Sequence, residues 1–191
     1  AVRKSLAEAA LVEVLERSPD EQEPPCPHAG RCGGCSWQSL AYGRQLAWKE
    51  RIVHDALERV GKVACPPMLP ILPSPSEWGY RNKMEFAFGV SGDGGKALGL
   101  RERGSRNIVG VTGCLLQTPL TMRVLEAVRM LSNGAFHDLD GRFLVVREPN
   151  AGGCFVELIV GAGGSLEAGE RFAEALRAET PEVTGFALSE R

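Results

Sequence analysis

Lys83-Met84-Glu85-Phe86-Ala87-Phe88-Gly89-Val90-Ser91-Gly92-Asp93-Gly94-Gly95-Lys96-Ala97-Leu98-Gly99-Leu100-Arg101 alternates in period two, turns on glycine and returns. Met84, Phe86, Phe88 and Val90 fall on one side of that pattern, and Lys83 and Glu85 on the other, which is the signature of a β-hairpin. Downstream, residues 107–111 read as a third strand leading straight into Gly113-Cys114. Thr118-Pro119 then offers a capping residue followed by proline at the first helical position, and Leu120, Val124, Leu125, Val128 and Leu131 continue at helical spacing to Asn133-Gly134. Residues 143–148 and 154–160 flank Asn150-Ala151-Gly152-Gly153 as a second hairpin, 165–178 read as a helix and 183–188 as a strand. The order β-β-β-α-β-β-α-β predicts an α/β (α+β) fold, a mixed, largely antiparallel sheet with helices across it. Gly161-Ala162-Gly163-Gly164 lies between a strand and a helix, but the 27 residues after it are too few for a dinucleotide-type or S-adenosylmethionine site.

Upstream of the hairpin, Pro66, Pro67, Pro70, Pro73 and Pro75 make a stiff extended crossing. Residues 38–60 carry Leu46, Val53, Leu57 and Val60 as a helical stripe ended by Gly61, with Trp37 and Trp48 expected as packing anchors. Residues 1–20 hold the alternating run Ala10-Leu11-Val12-Glu13-Val14-Leu15 and then Ser18-Pro19-Asp20, which predicts a strand closing into a turn, or a short helix.

The chemistry concentrates in Cys26-Pro27-His28-Ala29-Gly30-Arg31-Cys32-Gly33-Gly34-Cys35, three thiols within ten residues, with Cys114 far along the chain. Iron–sulfur clusters are held by several thiolates, and three local cysteines plus one remote suit four corners. Gly33 and Gly34 allow a sharp turn that aims amide hydrogens at sulfur. Other readings stay open. A structural zinc site would need a fourth ligand such as His28, since Cys114 has no cysteine neighbour at close spacing. A Cys32/Cys35 redox pair would leave Cys26 without a purpose. Six cysteines in 191 residues are too few for a disulfide-stapled scaffold, and no secretory signal or apolar segment of membrane length occurs, so a cytoplasmic location is expected.

A net charge of −2 excludes a globally basic nucleic-acid binder. Between Tyr80 and Arg106, however, six basic residues face three acidic ones, a local excess that is either a solvated pair of strands or a nucleic-acid patch. No Ser/His/Asp arrangement, Walker loop or paired-carboxylate motif is found, and His28, His54 and His137 are scattered.

The ordered set Cys26 through Cys35-Ser36-Trp37-Gln38, Gln45-Leu46, Lys49, Trp78-Gly79-Tyr80-Arg81-Asn82-Lys83, Gly99-Leu100-Arg101 and Val111-Thr112-Gly113-Cys114 resembles the RNA uridine-5-methyltransferases that carry a [4Fe-4S] cluster. It covers most of residues 20–120. The resemblance implies that Cys26, Cys32, Cys35 and Cys114 are the cluster ligands. It further implies three parts in the whole protein: an N-terminal RNA-binding barrel of the TRAM type, of which residues 1–20 would be the tail or a linker; a central iron–sulfur α/β domain at 21–191; and a C-terminal S-adenosylmethionine domain expected beyond Arg191. Residues 38–75 would dock on that last domain, leaving apolar surface that favours artificial dimers of the isolated piece. The family's reaction uses a cysteine thiolate that adds to C6 of a flipped-out uracil so that C5 takes the methyl group. That cysteine lies in a Ser-Cys-Asn-Pro type motif which this chain does not contain, and Cys65 and Cys154 do not match it, so no catalytic residue is expected here. Tyr80, Arg81, Lys83, Arg101 and Arg106 are the expected RNA contacts, and large-subunit ribosomal RNA the expected substrate. The alternative class is a stand-alone zinc or iron–sulfur module for interaction or electron transfer.

Overall fold

The computed structural model describes residues 2, 3, 6, 7, 9–163 and 165–191. The chain divides into two compact units, one of residues 1–23 and 39–71, the other of 24–38 and 72–191. In the first unit β1 (Val2–Arg3) pairs antiparallel with β2 (Leu6–Ala7). The expected strand over 10–15 does not form: those residues have no ladder partner, and Leu11 and Val12 are 81% and 96% exposed. An isolated extended run cannot satisfy its own backbone groups, so alternation alone does not make a strand. The turn does form, with the Glu21 amide donating to the Ser18 carbonyl at 3.0 Å.

The helical stripe is realised as α1 (Tyr42–Asp55), continued by a π-helical turn, Ala56–Val60. It begins four residues later than the sequence suggests, because its N-cap Ala41 has extended backbone. No residue of α1 is buried, and Trp48, expected as a packing anchor, is 50% exposed. Residues 39–71 group with residues 1–23 in the first unit.

The second unit is built on β3 (Lys83–Val90), β4 (Lys96–Arg101), β5 (Ile108–Gly110), α2 (Pro119–Asn133), β6 (Gly141–Arg147), β7 (Cys154–Val160), α3 (Leu166–Glu179) and β8 (Val183–Glu190). The element order is the one read from the sequence. Spatially the strands run β5-β4-β3-β6-β7-β8, antiparallel throughout except for β7 and β8. Parallel neighbours cannot be joined by a tight turn, and α3 supplies the crossover. Met84 and Phe86 of β3, Leu144 and Val146 of β6 and Val156 and Leu158 of β7 form one core with Val124, Leu125 and Val128 of α2 and Phe172 and Leu176 of α3. Phe172 meets Phe136 edge-on at 5.0 Å. Gly164, the last residue of the glycine turn, lies outside the described residues; the remainder of that turn simply links β7 to α3. Among the described residues no helix is long and apolar enough to cross a membrane.

Thr118 caps α2 as its sequence predicts, accepting from the Thr121 amide at 3.1 Å, while Thr118 and Thr121 both donate to Glu148 Oε1 at the end of β6. Thr118→Ala should therefore cost about 1 kcal/mol in chemical denaturation. Cys154 opens β7 fully buried, and burial, aided by the charges of Glu148 and Glu182, pushes its thiol up to about 11 from an ordinary 9.0. A raised folded value means that folding favours the protonated thiol, so this contribution is complete below pH 9 and is lost as pH rises through 11. Thermal unfolding temperature should fall over that window, and Cys154→Ala should flatten the fall.

Candidate metal centre

The cysteine loop is laid against the end of β4 by backbone pairing. Ala29 donates to the Cys26 carbonyl at 3.0 Å and Cys32 to that of His28 at 2.9 Å, closing two turns. Gly33 then donates to Arg101 at 2.9 Å, and Arg103 to Arg31 at 2.8 Å. A Cβ at Gly33 would sit 3.1 Å from the Arg101 carbonyl oxygen, so this close approach depends on glycine. The Arg103 guanidinium adds a bond to the Cys35 carbonyl at 2.7 Å. On the other side, the His28 ring accepts at Nε2 from the Thr112 amide at 3.2 Å, two residues before Cys114. That bond makes His28 a latch between the loop and the strand end.

These two attachments bring Cys26, Cys32, Cys35 and Cys114 to one cavity of about 140 Å³. Met84, Leu100, Val111, Leu115 and Leu116 supply apolar wall, and Arg81 and His28 polar wall. Burial pushes the Cys32 thiol up, with the charges of Cys35 and Cys26 adding, while the Gly34 amide and the Arg103 guanidinium pull it down. Burial likewise pushes Cys114 up, against the Leu116 and Gln117 amides, with Cys35 and Cys26 raising it further. Four thiolates in so small a volume repel one another, and a cation among them reverses that penalty and deprotonates each thiol. Among the described residues no three His, Cys, Asp or Glu side chains converge on a point that a single ion could occupy. A lone zinc draws its sulfurs to about 2.3 Å from one centre. A multi-iron cluster instead binds each thiolate to a different iron.

Of the expected RNA contacts, Tyr80 and Arg81 precede β3 and are hung on the Cys114–Gln117 turn, Arg81 donating its amide to Leu116 at 3.0 Å. Lys83 opens β3 and Arg101 closes β4, whereas Arg106 lies in the turn between β4 and β5. All five are exposed, and Arg81 borders the cysteine cavity. Sequence reasoning missed Arg103 as a loop clamp and His28 as a latch, because both act through contacts more than 65 residues distant in the chain.

An uncharacterized RNA methyltransferase of Nitratidesulfovibrio vulgaris is 48% identical over the whole chain, which spans 43% of that protein. One of Nostoc sp. is 31% identical over 98% of the chain, again 43% of its own length. The chain is similar throughout its length to these RNA methyltransferases. A relative from Caldanaerobacter subterraneus is 50% identical over 102 residues, 53% of the chain and 22% of that protein. The chain thus spans less than half the length of these relatives, and no protein-family model matches it.

Proposed function

We propose that the whole protein transfers a methyl group from S-adenosylmethionine to C5 of a uridine in large-subunit (23S) ribosomal RNA in the cytoplasm, and that residues 21–191 are its iron–sulfur, RNA-gripping part. One observation carries this: thiols at the four positions of the family pattern line a single cavity in a chain 48% identical throughout to an RNA methyltransferase. Cys26, Cys32, Cys35 and Cys114 would hold a [4Fe-4S] cluster. When bound, such a cluster cross-links the loop to the end of β5; methyl transfer moves no net electrons, so its service is structural. Around it, the Gly34, Leu116 and Gln117 amides and Arg103 offset negative charge at sulfur. S-adenosylmethionine and the reacting cysteine would belong to parts of the protein outside this chain.

RNA would be held by Tyr80, Arg81, Lys83, Arg101 and Arg106, with cations on phosphates and loop bases splayed for reading. Incubating the full-length protein with S-adenosylmethionine and unmodified ribosomal RNA should yield 5-methyluridine by nucleoside mass spectrometry. Methylation of another base, or of transfer RNA alone, would refute the assignment. In the isolated chain, Trp48, Ile52 and Val53 of α1 offer apolar surface for self-association, which size-exclusion chromatography at rising concentration would reveal as a shift to dimer.

A further inference from the structure

The core-facing side of the six-stranded sheet takes α2 and α3, and the strand register places a different set of side chains on the opposite side. There Lys83 pairs with Arg147, Arg147 with Phe155 and Phe155 with Gly185; two residues along the strands, Glu85, Val145 and Glu157 form the next row. Ala87, Phe143 and Ile159 make a third. Two aromatic rings therefore stand on this side, which the helices do not cover. Phe155 is 39% exposed, and Phe143 is half-buried with the Arg191 guanidinium 5.8 Å from its ring centre. They are four residues apart along the strands, roughly 13 Å, which separates them enough to serve different bases.

Beside Phe143 is an open slot of about 410 Å³ whose lining is backbone-rich, with Gly99 in β4, Gly33 and Gly34 in the cysteine loop and Gly104 beyond β4. Arg101 and Arg103 border it. Gly99 cannot be filled: a Cβ there would meet the Val109 carbonyl oxygen. A flat glycine floor, an aromatic wall and two flanking guanidinium groups suit a planar ring attached to a phosphate. The charge agrees. Lys83, Arg101, Arg103, Arg147 and Arg191 are exposed along this side and its rim, against Glu85, Glu102 and Glu157. Glu157 is engaged by Ser189, and Glu102 by Ser105 and Asn107.

We infer that this side of the sheet is a stacking platform for single-stranded RNA, one base entering the glycine slot against Phe143, a second lying on Phe155, and the arginines taking the intervening phosphates. Exposed aromatic rings on a sheet stack bases without regard to sequence, and cations track the strand. This deepens the proposed RNA-binding role and rests on it. It also gives the cysteine loop a second duty, because Gly33 and Gly34 form part of the slot.

The test uses full-length protein and a fluorescein-labelled oligouridine. Replacing both rings, Phe143→Leu and Phe155→Leu, keeps apolar bulk and is expected to weaken binding roughly tenfold per ring. Arg147→Gln should flatten the dependence of log affinity on log salt by about 0.7. In wild-type protein, photocrosslinks from 4-thiouridine should map to the peptides carrying Phe143 and Phe155, a readout that needs no variant to fold. Crosslinks confined to other peptides, or unchanged affinity in the ring variant while Arg81→Ala with Arg106→Ala abolishes binding, would overturn the platform and leave the RNA assignment standing. Protection of both rings from hydroxyl radicals in RNA-free protein would overturn it too, by showing another part of the chain or a second copy on that side. Wild-type protein that binds no RNA at all overturns both.

Discussion

The Cys114→Ser variant, prepared without oxygen in the full-length protein, is expected to lose its iron and sulfide altogether, while Cys65→Ser retains both. Cys114 is the one cavity thiol delivered by the sheet; the other three come from a loop that could rearrange around a substitute ligand. Serine at 114 leaves three thiolates, and a cluster with an unprotected corner is open to solvent and loss. Since ligand binding to the folded state adds directly to folding stability, the variant should also melt well below the loaded wild type, close to wild type treated with an iron chelator. Absorbance near the visible charge-transfer region, metal analysis and calorimetry measure these together. A Cys114→Ser protein with full iron and an unchanged melt would remove Cys114 from the ligand set, and zinc in place of iron in anaerobically purified wild type would remove the cluster.

Gly99→Ala carries the second large effect, on stability first and on the centre through it. An added methyl at Gly99 would collide with the Val109 carbonyl oxygen and lie 2.9 Å from the Val111 amide nitrogen, both backbone atoms that cannot rotate away. Strand β5 must shift, and Val111, Thr112 and Cys114 follow it in the chain. A loss of roughly 3 kcal/mol is expected, at the upper end of overpacking penalties, together with weakened iron retention. Its register partner Gly110 has open space where a Cβ would go, so Gly110→Ala should stay within about 0.5 kcal/mol. Equal denaturation midpoints for the two variants would show that β4 and β5 can move apart freely and that the strand does not hold Cys114 in place.

Much of the second unit was legible in order. Periodicity identified β3 through β8 and both helices because each buries one side against the shared core, so that local pattern and tertiary packing demand the same thing. Thr118 announced its helix for a similar reason, as the capping bond spans only three residues. The N-terminal run failed where that agreement was missing: Leu11 to Leu15 alternate convincingly, yet a strand exists only when a neighbour accepts its hydrogen bonds. Trp48 failed likewise, since hydrophobic character states a preference for burial without supplying a surface to be buried against.

Composition and spacing alone determined that this chain folds as a mixed sheet with crossing helices and gathers its soft donor atoms as three neighbours and one distant partner. Local rules suffice there, because strand alternation, helix caps and glycine turns operate over a few residues. Only the tertiary structure decided the strand order, the meeting of Cys114 with the loop thiols, the clamping by Arg103 and His28, and the aromatic and cationic side of the sheet left uncovered by its helices. Those depend on which strands become neighbours, a choice made by global packing between residues that no short stretch of sequence can relate.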